Sequence, residues 1–178
     1  MTTPKILGIS GSLRAGSNNT MLLKAAIASY GAAEVEIADL NLPLYDGDLE
    51  AKGIPDAVTK LGAQIVAADA IIIASPEYNK GISGVLKNAL DWASRVPGDV
   101  FRGKPTLLIG AAAGRTGGET AYFMTRNCLS QLGAAVLATP AVLVAGSYAE
   151  FNEDGTLKSE QYQESLDKSV VVLRSTSV

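Results

Sequence analysis

Short apolar runs alternate with longer amphipathic stretches along this chain, and that alternation restricts its fold more than any other feature. Candidate strands are Lys5–Ser10, Val35–Asp39, Ala70–Ser75, Pro105–Ala112 and Ala135–Leu143. Candidate helices are Asn19–Ala32, Pro55–Ala68, Ser83–Ser94, Glu119–Leu132 and Ser159–Ser175. The run Ala70-Ile71-Ile72-Ile73 is unbroken, as expected of a strand covered on both faces. Five β–α units in series call for an α/β fold, a parallel sheet with helices on both faces. Right-handed crossovers leave two strand orders for a doubly wound sheet, and five strands favour 2-1-3-4-5. A ligand then sits at the carboxyl ends of the first, third and fourth strands, where the loops Gly11–Asn18, Pro76–Ile82 and Ala113–Gly118 emerge.

The first of these loops is the richest in chemistry. In Gly11-Ser12-Leu13-Arg14-Ala15-Gly16-Ser17-Asn18-Asn19-Thr20, six of ten residues are Ser, Asn, Thr or Arg. A donor-rich loop between a strand and a helix N-terminus makes an anion site, because unpaired N–H groups and the helix dipole converge there. Arg14 adds a permanent charge and a fork that matches phosphate oxygens. Ser12 and Ser17 add short hydroxyl donors, and Asn19 stands at the helix entry as a cap or a ligand contact. A polar turn with an N-cap is the plainer reading, but it requires neither the arginine nor the flanking glycines. The spacing matches neither GxxxxGK[ST] nor GxGxxG. Asp39 ends the second strand, where a dinucleotide fold places its ribose-binding acid. Without the glycine fingerprint, a strand-end cap is the simpler role.

In the second loop, Ser75-Pro76-Glu77-Tyr78-Asn79-Lys80-Gly81-Ile82-Ser83-Gly84, Pro76 stiffens the strand exit. Gly81 and Gly84 would let backbone approach a flat ligand, and Tyr78 offers an aromatic face. In the third, Ala113-Gly114-Arg115-Thr116-Gly117-Gly118 reads as a backbone nest for carbonyl oxygens or developing negative charge; a turn with an exposed arginine is the alternative. The helix Val85–Ala93 presents Val85, Leu86, Ala89, Leu90 and Ala93 on one apolar face. Trp92 belongs to core or subunit packing, and Lys87 with Asp91 is the weaker orientation of an ion pair. The loop Asp46–Gly53 is long and acidic, and Ser175–Val178 is expected to fray.

Composition narrows the chemistry. The 178 residues, 47% hydrophobic and 19% charged, suit one globular domain spanning 1–178. A net charge of −3 argues against nucleic acid as a partner. Zero histidines exclude Ser-His-Asp triads, Cys-His pairs and histidine metal sites, and no metal is expected. The single cysteine, Cys128, allows no internal disulfide and fits a reducing compartment. Met1-Thr2-Thr3-Pro4-Lys5 lacks a signal-peptide pattern, so a cytoplasmic location is expected. Cys128–Ala149 is uncharged and long enough to span a bilayer. Gln131, Gly133, Pro140 and Gly146 make it read instead as a helix end, a turn and a buried strand, without membrane insertion. Few catalytic side chains beside a strong phosphate loop point to a cofactor that carries the reactivity.

Two motifs are specific together. Gly11-Ser12-Leu13-Arg14-x-x-Ser17-x-Asn19-x-x-Leu22 and Ser75-Pro76-Glu77-Tyr78-Asn79-x-Gly81-x-x-Gly84-x-Leu86-Lys87-Asn88-Ala89-x-Asp91-Trp92 resemble the NADPH-dependent FMN reductase family, which includes bacterial chromate and quinone reductases and azoreductase-like flavoenzymes. The resemblance implies a flavodoxin-like three-layer sandwich binding FMN non-covalently, with NADH or NADPH as co-substrate, as a homodimer or homotetramer. It implies that Ser12, Arg14, Ser17 and Asn19, with Asn18 and Thr20 beside them, hold the phosphate. Pro76, Glu77, Tyr78 and Asn79 would line the isoalloxazine. Ala113, Gly114, Arg115, Gly117 and Gly118 would meet its pyrimidine end, and Gly117 and Gly118 N–H groups would stabilise charge on the reduced ring. Leu42-Pro43-Leu44-Tyr45-Asp46 looks like the family's loop beside the partner subunit's active site. One departure is Ala111-Ala112-Ala113, where many relatives carry a serine.

The activity so implied is hydride transfer from NAD(P)H to FMN and then to a quinone or similar acceptor (chromate, azo dye, ferric chelate) by a ping-pong mechanism. No catalytic acid or base is expected, and Glu77 is expected to be structural. A flavodoxin-type electron carrier and a flavin-free NAD-binding protein are the competing readings. A carrier would have a stronger acidic face and more aromatics in its ligand loops.

Overall fold

The computed structural model describes residues 3–176. In chain order the elements are β1 (Lys5–Ser10), α1 (Asn18–Tyr30), β2 (Glu34–Ile37), α2 (Gly47–Glu50), α3 (Asp56–Ala67) and β3 (Ala70–Ser75). A hairpin of β4 (Glu77–Tyr78) and β5 (Gly81–Ile82) follows, then α4 (Gly84–Ala93), β6 (Pro105–Ala111) and α5 (Glu119–Gln131). The chain ends with β7 (Ala135–Val136), β8 (Val142–Val144), a 3-10 turn at Ser147–Ala149, and α6 (Glu160–Thr176). The main sheet runs β2-β1-β3-β6-β7, with β8 also on β6, and every pairing in it is parallel. With the small hairpin set aside, this is the 2-1-3-4-5 order expected.

Strand periodicity sorts the core into two layers. Alternate side chains of a strand point to opposite faces. Ile71 and Ile73 enter the layer under α3, α4 and α5, with Leu61, Ile65, Leu86, Leu90 and Leu129. Ala70, Ile72 and Ala74 enter the layer under α1 and α6, with Leu22, Leu23, Leu166, Val170 and Leu173. Each isoleucine of β3 is fully buried, a contribution of roughly 1.5–3 kcal/mol per side chain. Trp92 lies in the core at 0% exposure.

Several expectations need correction. The predicted strand Ala135–Leu143 is two strands, β7 and β8, on opposite ends of β6. Between them the chain uses residues 137–141 against residues 107–108 of β6. Pro140 lies in that detour and has no N–H for a ladder. The acidic 46–53 loop contains α2, whose N-cap Asp46 accepts from Asp48 N. The second ligand loop contains a hairpin, with Asn79 at φ 49° and Lys80 at φ 61°, the two positive values of a type I′ turn. Left-handed backbone there falls on these residues rather than on Gly81 or Gly84, and a Cβ at Gly84 would meet nothing within 4 Å. Asp39 accepts from Asn41 N at 2.9 Å, the capping role. Of the expected frayed end, Ser175 and Thr176 are helical, while Ser177 and Val178 lie outside the described residues. The uncharged 128–149 stretch is a helix end, a turn at Gly133 and short strands. No described helix is long and apolar enough to cross a membrane.

Residues 42–46 form a strap across α4. Pro43 O accepts from Trp92 Nε1 at 2.8 Å and Asn88 Nδ2 at 2.9 Å. Tyr45 N donates to Asn88 Oδ1, and its ring meets Trp92 edge-on at 5.0 Å. Glu50 accepts from the Tyr45 hydroxyl and from Arg95 Nε, each at 2.8 Å. The Tyr45 hydrogen bond, then Arg95, hold the Glu50 carboxyl below its usual value. The same bond holds the Tyr45 phenol above its own.

Two predictions follow from these contacts. A lowered carboxyl pKa stabilises the fold above the unfolded value and loses that effect as pH falls through the folded value. The urea-midpoint difference between wild type and Glu50→Gln is therefore expected near neutrality and to shrink below pH 4.5, the ordinary carboxylate value; a pH-independent difference contradicts this. Gly117 has φ 62°, and a Cβ there would sit 2.5 Å from Leu143 O. Gly117→Ala should cost about 2–3 kcal/mol in urea unfolding, whereas Gly16→Ala, with nothing within 4 Å, should stay within about 0.5 kcal/mol.

Candidate flavin site

Parallel pairing sends the loops after β1, β3, β6 and β8 off the same edge of the sheet, and a cleft opens between them. The cleft is open to solvent, and about 110 Å³ of it is room for water-sized molecules. Ser12, Arg14, Ser17, Asn18 and Asn19 wall one end; Pro76, Glu77 and Tyr78, and Ala111–Ala113, wall the rest. Ser147 and Tyr148 complete the lining.

The first loop is fastened at its base. Gly11 N donates to Ala74 O at 2.9 Å, and Gly11 O accepts from the Ser83 hydroxyl at 2.7 Å. Ser83 also caps α4 by accepting from Leu86 N. A Cβ at Gly11 would lie 2.7 Å from Pro76 Cδ, so the first and second loops touch only because this residue is glycine. The N-cap of α1 is Ser17, whose hydroxyl accepts from Thr20 N. Asn19 is therefore inside the helix and does not cap it. Its amide makes a reciprocal pair with Ala111, donating to O at 2.8 Å and accepting from N at 3.0 Å. It is 4% exposed and ties α1 to the end of β6. Thr20 turns its hydroxyl to Ser10 Oγ at 2.8 Å, away from the cleft lining. Asn18 donates to Ser147 Oγ at 2.8 Å.

Glu77 joins the second and third loops. Gly118, the N-cap of α5, offers no side chain. Glu77 Oε2 accepts from Thr120 N at 3.1 Å and Ala121 N at 3.2 Å. This carboxylate at a helix N-terminus is favourable on both hydrogen-bonding and dipole grounds. The second loop's Asn79 belongs to the hairpin turn and does not line the cleft. In the third loop only Ala113 of the expected residues lines it; Gly114, Arg115, Gly117 and Gly118 do not. Gly117 N donates to Gly114 O at 3.2 Å, so this N–H is engaged within its own turn.

Ala111, Ala112, Ser147 and Tyr148 were not anticipated. The first two offer only backbone. Ser147 follows a strand whose true end at Val144 was hidden by the Pro140 detour, although Gly146 marked a turn.

The donor set suits a phosphate monoester. Arg14 has no carboxylate partner among the described residues. It stands with Ser12, Ser17 and Asn18 at the positive end of a 13-residue helix, an arrangement that favours a dianion. Among the described residues no three His, Cys, Asp or Glu side chains gather as a metal-binding group.

A flavodoxin-like sheet with a phosphate-seeking loop at its switch point defines a mononucleotide-binding α/β protein. Comparison narrows the class. The family model of the NADPH-dependent FMN reductases matches residues 4–149. The chain is 42% identical over 172 residues to an NAD(P)H-dependent FMN reductase of Pseudomonas aeruginosa, covering 96% of this chain and 93% of that one. It is 37% identical over 141 residues to a quinone reductase of Escherichia coli, covering 76% and 74%. In structure it is similar to FerB, a flavoenzyme NAD(P)H:(acceptor) oxidoreductase from Paracoccus denitrificans. There the TM-score is 0.88 at 29% identity, over 98% of this chain and 97% of that one. The chain belongs to the NADPH-dependent FMN reductase family, and as a member it is an NAD(P)H-dependent oxidoreductase that uses FMN.

Charge-assisted bonds from Arg14 should contribute ~1.5–3 kcal/mol to FMN binding. Arg14→Ala should then weaken it roughly 10- to 100-fold by calorimetry. An unchanged affinity removes the phosphate from this loop.

Proposed function

We propose that this enzyme passes hydride from NADH or NADPH, through FMN seated in the cleft, to a quinone, in a ping-pong cycle. The observation that carries the reading is Arg14, without a carboxylate partner among the described residues and beside an α-helix N-terminus, at one end of a cleft whose other walls are Pro76, Glu77, Tyr78, Ala111–Ala113, Ser147 and Tyr148. The relationship to a quinone reductase supports the acceptor class. FMN supplies the hydride-accepting and hydride-donating chemistry when bound.

The protein's share is placement. Ser12, Arg14, Ser17 and Asn18 hold the phosphate. Asn19 and Thr20 act from behind: one holds the Ala111 end of the wall, the other the Ser10 end of β1. Pro76, Glu77 and Tyr78 lie along the ring, and Ala113 with the turn at Gly114, Arg115, Gly117 and Gly118 shapes its pyrimidine end. Asn79 keeps the hairpin tight, which fixes Tyr78 beside the ring. One open mouth serves the nicotinamide and the acceptor in turn, which is the geometric basis of ping-pong kinetics. Chromate, azo dyes and ferric chelates would reach the same mouth less selectively. No side chain here is assigned to proton transfer. A cytoplasmic homodimer or homotetramer, folded as one domain, completes the proposal, with the exposed Leu44 of the strap facing a second subunit.

Purified, FMN-loaded protein should oxidise NADH or NADPH rapidly when a quinone is added. Initial rates should give parallel double-reciprocal lines as both substrates are varied. Intersecting lines would rule out the ping-pong order. Negligible turnover with either nicotinamide would favour a carrier without its own NAD(P)H reaction.

A further inference from the structure

We propose that Glu77 sets the preference of this site for oxidised over reduced FMN, by fixing a negative charge beside the ring. The inference rests on the FMN reading given above. Hydride delivery from NAD(P)H, which leaves as NAD(P)⁺, adds two electrons and one proton to the ring. The ring therefore gains one net negative charge. The α5 N-terminus, which Glu77 joins to the cleft wall, would favour that charge through its dipole. Glu77 occupies the same helix end first.

Four observations place it there. Its Oε2 is 3.1 Å from Thr120 N and 3.2 Å from Ala121 N. Its side chain is 11% exposed, so water screens it weakly. Its residue lines the cleft between Pro76 and Tyr78. A Cβ at Gly118 would touch Glu77 Cβ at 3.4 Å, so the second and third loops pack against each other beside it. Lys80, the cation paired with it among the described residues, lies 3.3 Å from Oε1 but is 70% exposed, and it offsets the charge only in part. Glu77 is thus a positioning and tuning residue: it closes the wall of the cleft while cancelling the helix dipole that would stabilise the reduced cofactor. The enzyme gains a reduced flavin that gives up its electrons readily.

The test measures the reduction potential of bound FMN by dye-equilibrium titration, beside calorimetric affinity for oxidised FMN. Wild type comes first: no FMN binding ends the flavin reading itself, before any variant is compared. Glu77→Gln keeps an oxygen for the two amides and removes the charge. It should raise the affinity for reduced relative to oxidised FMN ~10-fold, a rise of ~30 mV for a two-electron couple. Lys80→Asn removes the partial offset at a position whose positive φ asparagine tolerates. It should move the ratio the other way, by ~2- to 3-fold. An unchanged potential in Glu77→Gln overturns the proposal and leaves Glu77 a loop clamp only. If Glu77→Gln does not fold, Lys80→Asn decides: no shift, or a shift upward, overturns it equally.

Discussion

Parallel hydrogen bonding between β1, β3, β6 and β8 is the constraint on which the site depends. It aligns the strands so that all their carboxyl ends reach one edge, and it places residues far apart in sequence around one cleft. Burial makes that alignment rigid: β3 is closed on both faces by two apolar layers, and a one-residue slip would move every isoleucine of Ile71-Ile72-Ile73 into the wrong layer.

A rigid sheet edge does not by itself shape a cleft. Three polar ties do so, two supplied by the second loop and one by α1. Ser83 binds the first loop to α4 through Gly11 O. Asn19 binds α1 to β6 through Ala111. Glu77 binds the hairpin to α5. In each case a backbone group that the loop geometry leaves without a ladder partner receives one from a side chain. The side-chain donors of the first loop, Arg14 above all, line the cleft, and they make that end the richest in donors.

Much of this was legible in the sequence because it rests on local signals. Periodicity located the strands of the sheet centre, and donor density with Arg14 marked the anion loop. What was not legible depends on tertiary partners. Asn19 looks like a cap from its neighbours alone, but Ser17 is one residue better placed, and only the fold brings Ala111 to the Asn19 amide. The break of the last strand around Thr139-Pro140 was written in the chain, yet the apolar residues on either side outweighed it. The hairpin at Asn79-Lys80 lacks the usual glycine at its second turn position, so it read as an irregular loop. Ser147 and Tyr148 became part of the cleft only once β8 was seen to end at Val144.

The central claim is that a phosphate, gripped at the α1 N-terminus, accounts for most of the cofactor's affinity. Calorimetric titration of the cofactor-stripped protein with FMN and with riboflavin, the same ring without the phosphate, tests it most directly. Several charge-assisted bonds at ~1.5–3 kcal/mol each predict FMN binding at least ~100-fold tighter than riboflavin. Equal affinity for the two would contradict the account.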